Sequence, residues 1–165
     1  MNYGSAVGFT AYHTARGRAA QIADYDDDEI TPALIVASEW LDARYRSSFP
    51  GTKVGMREQV REWPRVGGTD ADGYAIASSV VPVEVENATY EAALRVLVKP
   101  GALSVDYTPP KYDSVSIDGA IAVKYARFNG AMDVQLNIPV VGQILSPLLT
   151  GSGVGSSLSG SVFRA

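Results

Sequence analysis

The clearest helical pattern in the chain lies between residues 31 and 45. Its apolar residues recur at steps of three and four, which places them on one stripe of a helix; they are Leu34, Ala37, Leu41 and Tyr45. Thr31-Pro32 predicts the helix start, with threonine as N-cap and proline in the first helical position. The acidic run 26–29 favours the positive end of the helix dipole, and we expect it to be solvated rather than to bind a metal ion.

A second helical pattern runs from residue 82 to residue 98. Pro82 opens it in the first turn, and Lys99-Pro100-Gly101 ends it. Its apolar stripe is rich in small side chains and consists of Val85, Ala88, Ala92 and Val96, joined by Leu97. Small residues allow close approach, so we expect the two helices to form the core pair. The polar residues Glu39, Asp42 and Arg46 should lie mostly outside the buried stripe of the first helix.

Shorter patterns surround these helices. Residues 5–16 predict a short helix ended by Gly17. Residues 47–80 are rich in glycine and proline and predict a long exposed connection, with a tight turn at Asp72-Gly73. Within this connection, residues 57–63 predict a short helix stopped by Pro64, with Trp63 anchored in the core.

The apolar period changes from 3.6 to 2 after residue 112. Alternate positions carry Val115, Ile117, Ile121, Val123 and Tyr125, and Gly119 interrupts the run. This pattern predicts a strand or hairpin, with 132–138 as a partner strand and 139–149 as a short apolar segment kept from being a long helix by proline. Two strands are marginally stable in water, so we expect this arm to be completed by the helices or by another subunit.

Together these patterns predict a mainly α fold: a small helical bundle with an extended β-hairpin arm and a flexible C-terminal tail. The predicted organisation is a helical core at 1–101 with the long loop 47–80, a β arm and short apolar segment at 102–150, and a Gly/Ser-rich tail at 151–165. The tail ends in Val162, Phe163, Arg164 and Ala165. An aromatic residue and a cation on a flexible tether are typical of a segment that docks on a partner, and an ordinary disordered terminus is the alternative.

The amino-acid composition excludes several classes of function. A net charge of −4 on 165 residues argues against a protein whose main task is to neutralise phosphates. The absence of cysteine excludes disulfides, thiolate nucleophiles and zinc-cysteine sites. Since no stretch approaches the ~20 apolar residues of a membrane span and no export signal is recognisable, we expect a soluble, unexported protein without membrane contact.

The candidate catalytic residues do not form a site. His13 is the single histidine and should be a surface or partly buried helix residue. Asp70 to Gly73 lacks the spaced carboxylates of a calcium loop, and the glycines at 151–155 do not link a strand to a helix as a phosphate loop does. Glu39 and Asp42 should lie on a solvated helix face. We therefore expect no enzyme activity, no metal and no cofactor.

A local concentration of cations gathers around Trp40, Tyr45 and Trp63. It consists of Arg44, Arg46, Lys53, Arg57, Arg61 and Arg65. Arginines among aromatic residues can hold single-stranded nucleic acid by stacking and charge, and they are equally enriched at protein interfaces. The overall acidity favours the interface; single-stranded-DNA binding and plain solvent exposure remain the alternatives.

Several motifs, taken in order, resemble the head-to-tail adaptor (connector, or head-completion) proteins of tailed bacteriophages, some members of which are labelled DnaT-like single-stranded-DNA-binding proteins. The similarity covers roughly residues 5–150. It rests on ARG at 15–17, LDARYR at 41–46, EWPR at 62–65, DADGY at 70–74, the VVPVEVENATYEAAL helix start at 80–94 and VSIDGAIAVKYA at 115–126.

The resemblance implies a structural protein of the virion neck, assembled in the host cytoplasm as a ring, expected to be a dodecamer, below the portal protein. The ring would extend the DNA channel, let DNA pass without specific binding, and present a surface to the next tail or stopper component. The tail residues 162–165 would dock on the portal. The contacts between subunits or with the tail would come from Arg44, Arg46, Arg57, Arg61, Arg65, Ile121, Val123 and Tyr125. Some relatives in short-tailed phages are associated with cell-wall hydrolysis, but no residue here carries that activity over.

Overall fold

The computed structural model describes residues 1–104, 114–117, 121–124 and 138–149. The α-helices are α1 (Ala6–Ala15), α2 (Ala19–Ile22), α3 (Asp27–Tyr45), α4 (Val83–Val98) and α5 (Pro139–Leu145). The strands are β1 (Thr52–Lys53), β2 (Arg65–Val66), β3 (Ser114–Ile117) and β4 (Ile121–Lys124), and short 3₁₀ turns occupy Met56–Glu58 and Ser146–Leu148. The predicted mainly α fold with a β hairpin is confirmed.

The pairing of α3 with α4 forms the centre of the core. These helices pack against each other more extensively than any other two described elements. On α3 the predicted stripe is buried throughout, and on α4 Val85, Ala88 and Ala92 are fully buried while Val96 and Leu97 lie at the edge of the core. The small side chains of α4 permit the close approach, as the sequence predicted.

The start of α3 differs from the prediction. The helix begins at Asp27, and Asp26 is its N-cap: the Asp26 carboxylate accepts hydrogen bonds from the N–H groups of Asp28 and Glu29, while Glu29 Oε2 accepts from the Asp26 N–H. This reciprocal capping box satisfies the first orphan donors of the helix. Pro32 consequently lies inside the helix, where it removes one backbone hydrogen bond. Part of the acidic run is therefore the cap.

The N-terminal helix is confirmed as Ala6–Ala15, with Ser5 as N-cap and Gly17 at φ +71° after its end. Its His13 is fully buried, which corrects the expectation of a surface or partly buried residue. The short helix α2 was not predicted, because four residues are too few for a periodic pattern.

The connection 47–80 is more ordered than predicted. Antiparallel β1 and β2 pair Thr52 with Val66 and Lys53 with Arg65. The helix predicted over 57–63 is wrong; only the 3₁₀ turn Met56–Glu58 forms. Trp63 is the predicted anchor, with 2% of its surface exposed. The Asp72-Gly73 turn is also present, held by Asp70 Oδ1, which accepts from the N–H groups of Asp72 and Tyr74.

Beyond α4, the predicted hairpin forms from antiparallel β3 and β4, which pair Val115 with Val123 and Ile117 with Ile121. The short apolar segment predicted at 139–149 contains α5, which packs on α4, and its Val141 and Leu145 are fully buried. Of the strand predicted at 132–138, only Ile138 belongs to the described residues, and the tail 151–165 lies outside them. No described helix combines the length and apolarity that crossing a membrane requires.

Candidate interaction site

Arg61, a member of the predicted cation cluster, lies inside the protein. Only 5% of its surface is exposed, and its Nε donates to the Met1 carbonyl oxygen at 2.7 Å. Its Nη1 lies 3.6 Å from Asp42 Oδ2, and its Nη2 lies 3.3 Å from Glu39 Oε1. The guanidinium therefore joins the N-terminus, the 61–65 loop and the second half of α3.

Arg65 is likewise turned inward, with 7% of its surface exposed. Its Nη1 donates to Glu62 Oε2 at 2.8 Å, Nε donates to the Pro50 carbonyl oxygen at 2.7 Å, and Nη2 donates to the Gly51 carbonyl oxygen at 2.6 Å. The Arg65 guanidinium, bound to one carboxylate and two backbone carbonyls, holds together the loop that begins after α3.

Asp42 is buried on α3, at 5% exposure, instead of lying on a solvated face. Burial raises the pKa of its carboxyl, against the hydrogen bond from Tyr3 and the charge of Arg61, which favour the ionised form. Burial and the Asp42 carboxylate together raise the pKa of the Tyr3 phenol far above its ordinary value. The Tyr3 phenol therefore donates to the Asp42 carboxyl beside the Arg61 guanidinium, and this arrangement ties the N-terminal segment to α3.

The aromatic residues of the predicted cluster are not displayed for stacking on bases. Trp63 and Tyr45 are buried, and the ring of Trp63 meets that of Phe49 with centroids 5.6 Å apart. Trp40 is half-buried and packs edge-on against Tyr45 at 6.2 Å. A base would have to displace core packing to reach Trp63 or Tyr45, so this cluster as a whole is not a ready stacking platform.

The structure divides the predicted interface residues into three groups. Arg61 and Arg65 lie in the interior, because each binds carboxylate and backbone carbonyl oxygens of its own chain. Arg46 and Arg57 are exposed and Arg44 is half-buried, so their contact with a neighbour stays a prediction. In the hairpin, Ile121 and Val123 occupy alternate register positions of β4, while Tyr125 and residues 162–165 lie outside the described residues.

A second charged site, which none of the sequence patterns above predicted, lies between α2, α4 and α5. It is an open cleft of about 650 Å³ with Arg18, Glu91, Arg95 and Lys99 in its walls. Arg18 Nη1 donates to both oxygens of Glu91, at 2.9 and 3.1 Å, and Arg95 Nη1 lies 3.3 Å from Glu91 Oε2. Burial alone would raise the pKa of Glu91, but Arg18 and Arg95 outweigh it and the pKa is lowered. The spacing of Glu91 and Arg95 by four residues was a signal for part of this site.

His13 lies behind this cleft. Its Nε2 donates to the Tyr90 carbonyl oxygen at 3.2 Å, and its Nδ1 lies 3.5 Å from Arg18 Nη1. Burial lowers the pKa of the imidazole, and the charges of Arg18 and Arg16 act in the same direction. A neutral ring bound to a carbonyl and facing a guanidinium is a packing element of the core. Among the described residues, no group of three or more histidine and carboxylate side chains is placed to hold a metal ion.

Comparison with known proteins gives one family. No curated protein and no solved structure matches the chain. The model of a family described as "Putative DnaT-like ssDNA binding protein" matches residues 2–165. Since that match includes all the described elements from α1 to α5, the chain belongs to this DnaT-like family.

Proposed function

We propose that this protein is a non-enzymatic structural adaptor of a phage head-to-tail connection. The proposal is supported by the positions, in the fold, of the motifs that resemble those of the phage adaptor proteins. Leu41, Asp42 and Tyr45 of the LDARYR segment are buried, as are Trp63 and Arg65 of the EWPR segment. These motifs build the junction between α3 and the loop that follows, so they specify a scaffold, and the surfaces and arms around the scaffold make the contacts.

The proposed partners are those of a neck component. The protein forms a ring with its own copies below the portal protein, the ring extends the DNA channel, and its lower face receives the next tail or stopper protein. The acidic balance of the chain, −4 overall, suits a channel through which DNA passes without being gripped. The location is then the portal vertex of the virion, after assembly in the host cytoplasm.

Co-sedimentation with portal rings tests this proposal. The full chain should sediment with the portal, and a variant lacking residues 151–165 should bind more weakly if that segment docks there. Unchanged binding by the truncated variant would remove the docking role of the tail. Absence of binding by the full chain would overturn the adaptor itself.

A second candidate is a single-stranded-DNA-binding module, and the family description favours it more directly than it favours an adaptor. Within the predicted cation cluster, Arg61 and Arg65 are internal, so this candidate would depend on the exposed Arg46 and Arg57 and on the half-buried Arg44 and Lys53. Fluorescence anisotropy with a labelled short oligonucleotide over a salt series distinguishes the two. An affinity that falls with salt and drops in Arg46→Ala/Arg57→Ala supports this candidate, whereas no salt-dependent binding excludes it.

A further inference from the structure

Charge is segregated along α3. Five acidic residues occur at its start, within residues 24–29, and no basic residue occurs between Arg18 and Arg44. At the other end, the Arg46 side chain is 65% exposed, Arg57 is exposed and Lys53 is partly exposed. Glu39 and Glu58 are exposed acids near them, and the charged groups of Arg46 and Lys53 each lie 3.9 Å from Glu62 Oε1. Since α3 has 19 residues, a rise of ~1.5 Å per residue separates the two ends by roughly 28 Å.

The basic end also carries exposed apolar side chains. They lie on the loop that includes β1 and β2 and comprise Val54, Met56, Val60 and Val66, with exposures of 47%, 79%, 78% and 49%. Met56 has a φ of +52°, a left-handed backbone conformation that is uncommon for a residue with a side chain. Apolar side chains grouped in this way and rimmed by cations are typical of a contact surface.

The acidic end carries a matching groove. The outer face of α1 and the first residue of α3 enclose an open groove of about 630 Å³, lined by Val7, Thr10, Ala11, Thr14, Ala15 and Asp27. Val7 is 74% exposed, and the lining residues of α1 are otherwise small. Asp27 is the charged residue of this lining, and both Asp27 and the next residue of α3, Asp28, are exposed. The groove is therefore apolar along its length and negative at its rim.

We propose that the apolar and basic loop of one copy docks into the apolar and acidic groove of a second copy. The two surfaces are complementary in both polarity and charge, and they lie near opposite ends of α3, so one copy presents both halves of the contact. A contact between two different patches is heterologous, and its repetition closes into a ring when the rotation allows. This inference names the contact between neighbouring subunits in the ring of the proposed function, and it rests on that function for the closure of the ring. The pairing itself does not depend on a portal.

Site-specific cross-linking tests the pairing, because the chain contains no cysteine. A mixture of Met56→Cys and Ala11→Cys proteins should give a cross-linked dimer with a short bismaleimide. Neither variant alone should do so, and neither should a mixture of Met56→Cys with Val98→Cys, whose altered residue is exposed on α4, outside both surfaces. Cross-linking in Met56→Cys alone at the level of the mixture, or no product above the Val98→Cys control, would overturn the proposal.

Charge reversal gives an independent measurement by sedimentation velocity at low salt. Arg46→Glu/Arg57→Glu places carboxylates on the loop, and Asp27→Lys/Asp28→Lys places two cations beside the groove, so in each variant alone the contact should bring like charges together and self-association should weaken. An equal mixture should recover it, because every contact again joins opposite charges. Failure of the mixture to recover, with both variants folded by circular dichroism, would contradict the assignment.

The adaptor function and the contact between two copies can be disproved independently of each other. Cross-linking without portal binding keeps the self-contact and removes the adaptor function. Portal binding by the full chain without the Met56–Ala11 cross-link keeps the adaptor and removes this contact.

Discussion

The Tyr3 hydroxyl donates a hydrogen bond to Asp42 Oδ1 at 2.6 Å, across 39 residues of sequence. The Tyr3 hydroxyl oxygen also accepts from the backbone N–H of Trp63 at 3.0 Å, and the Tyr3 backbone N–H donates to Ser38 Oγ at 3.0 Å. One side chain thus fastens the N-terminal segment to α3 and to the loop that ends in Trp63.

Removing that hydroxyl should destabilise the protein. Tyr3→Phe leaves a buried carboxylate oxygen and a buried N–H without this partner, and we expect a loss of about 1–3 kcal/mol in the free energy of unfolding, measured in urea. Tyr74→Phe is the matched control, because 73% of Tyr74 is exposed and its change should stay within ~0.5 kcal/mol. Equal stability of the two variants would show that the Tyr3 hydroxyl contributes nothing.

Arg61 and Arg57 should behave as an interior and a surface arginine. Arg61→Ala leaves Asp42 as an uncompensated buried charge, and we expect a loss on the order of 3–5 kcal/mol. Arg57→Ala should change unfolding by no more than ~0.5 kcal/mol. Chemical denaturation measures both. A larger effect at Arg57 would contradict the inward placement of Arg61.

Gly8 should resist replacement although it lies in a helix. A Cβ at this position would overlap the Tyr90 hydroxyl oxygen and approach Tyr90 Cζ at 3.0 Å. Gly8→Ala should therefore cost about 1–3 kcal/mol, against the ~1 kcal/mol that alanine normally gains over glycine in a helix. The double variant Gly8→Ala/Tyr90→Phe should recover part of this loss, because it removes the overlapping oxygen.

Gly142→Ala in α5 is the control for steric overlap. Its new Cβ would lie 3.7 Å from Tyr45 Oη, an ordinary contact, so its stability should be unchanged or higher. A cost at Gly142 equal to that at Gly8 would show that loss of glycine as such, and not the overlap, is responsible.

His13 should make stability fall on acidification. Its pKa is lowered in the folded protein, so below the ordinary value of 6.5 the unfolded chain binds more protons and the free energy of unfolding decreases. Thermal unfolding between about pH 7.5 and 5.5 should show this slope, and His13→Gln should flatten it. Asp42 changes the free energy of unfolding in the opposite direction on acidification, because its raised pKa lets the folded state bind a proton at a higher pH than the unfolded state does. The difference between the two proteins therefore isolates histidine, and parallel pH profiles would contradict this role.

Local sequence patterns were sufficient to predict most of the helical framework. The stripe of α3, the stripe of α4 and the alternation in β3 and β4 each express a period that depends only on backbone geometry, so neighbouring residues are enough to predict them. The same holds for the turn at Asp72-Gly73, where an aspartate and a glycine satisfy the local backbone. The helix start was misplaced because two capping signals compete within six residues, and the reciprocal bonds of Asp26 and Glu29 prevail over Thr31-Pro32.

The interior polar residues were decided by tertiary structure. An arginine in a glycine- and proline-rich loop has the local signature of a surface residue, yet Arg61 is buried because folding brings Asp42 and the Met1 carbonyl to it. His13 is buried for the same reason, since the Tyr90 carbonyl lies 77 positions away in sequence. A charge or an imidazole enters a core only where partners compensate its lost hydration. The sequence by itself determined which faces of the helices are apolar, and the fold alone determined which polar groups find partners inside.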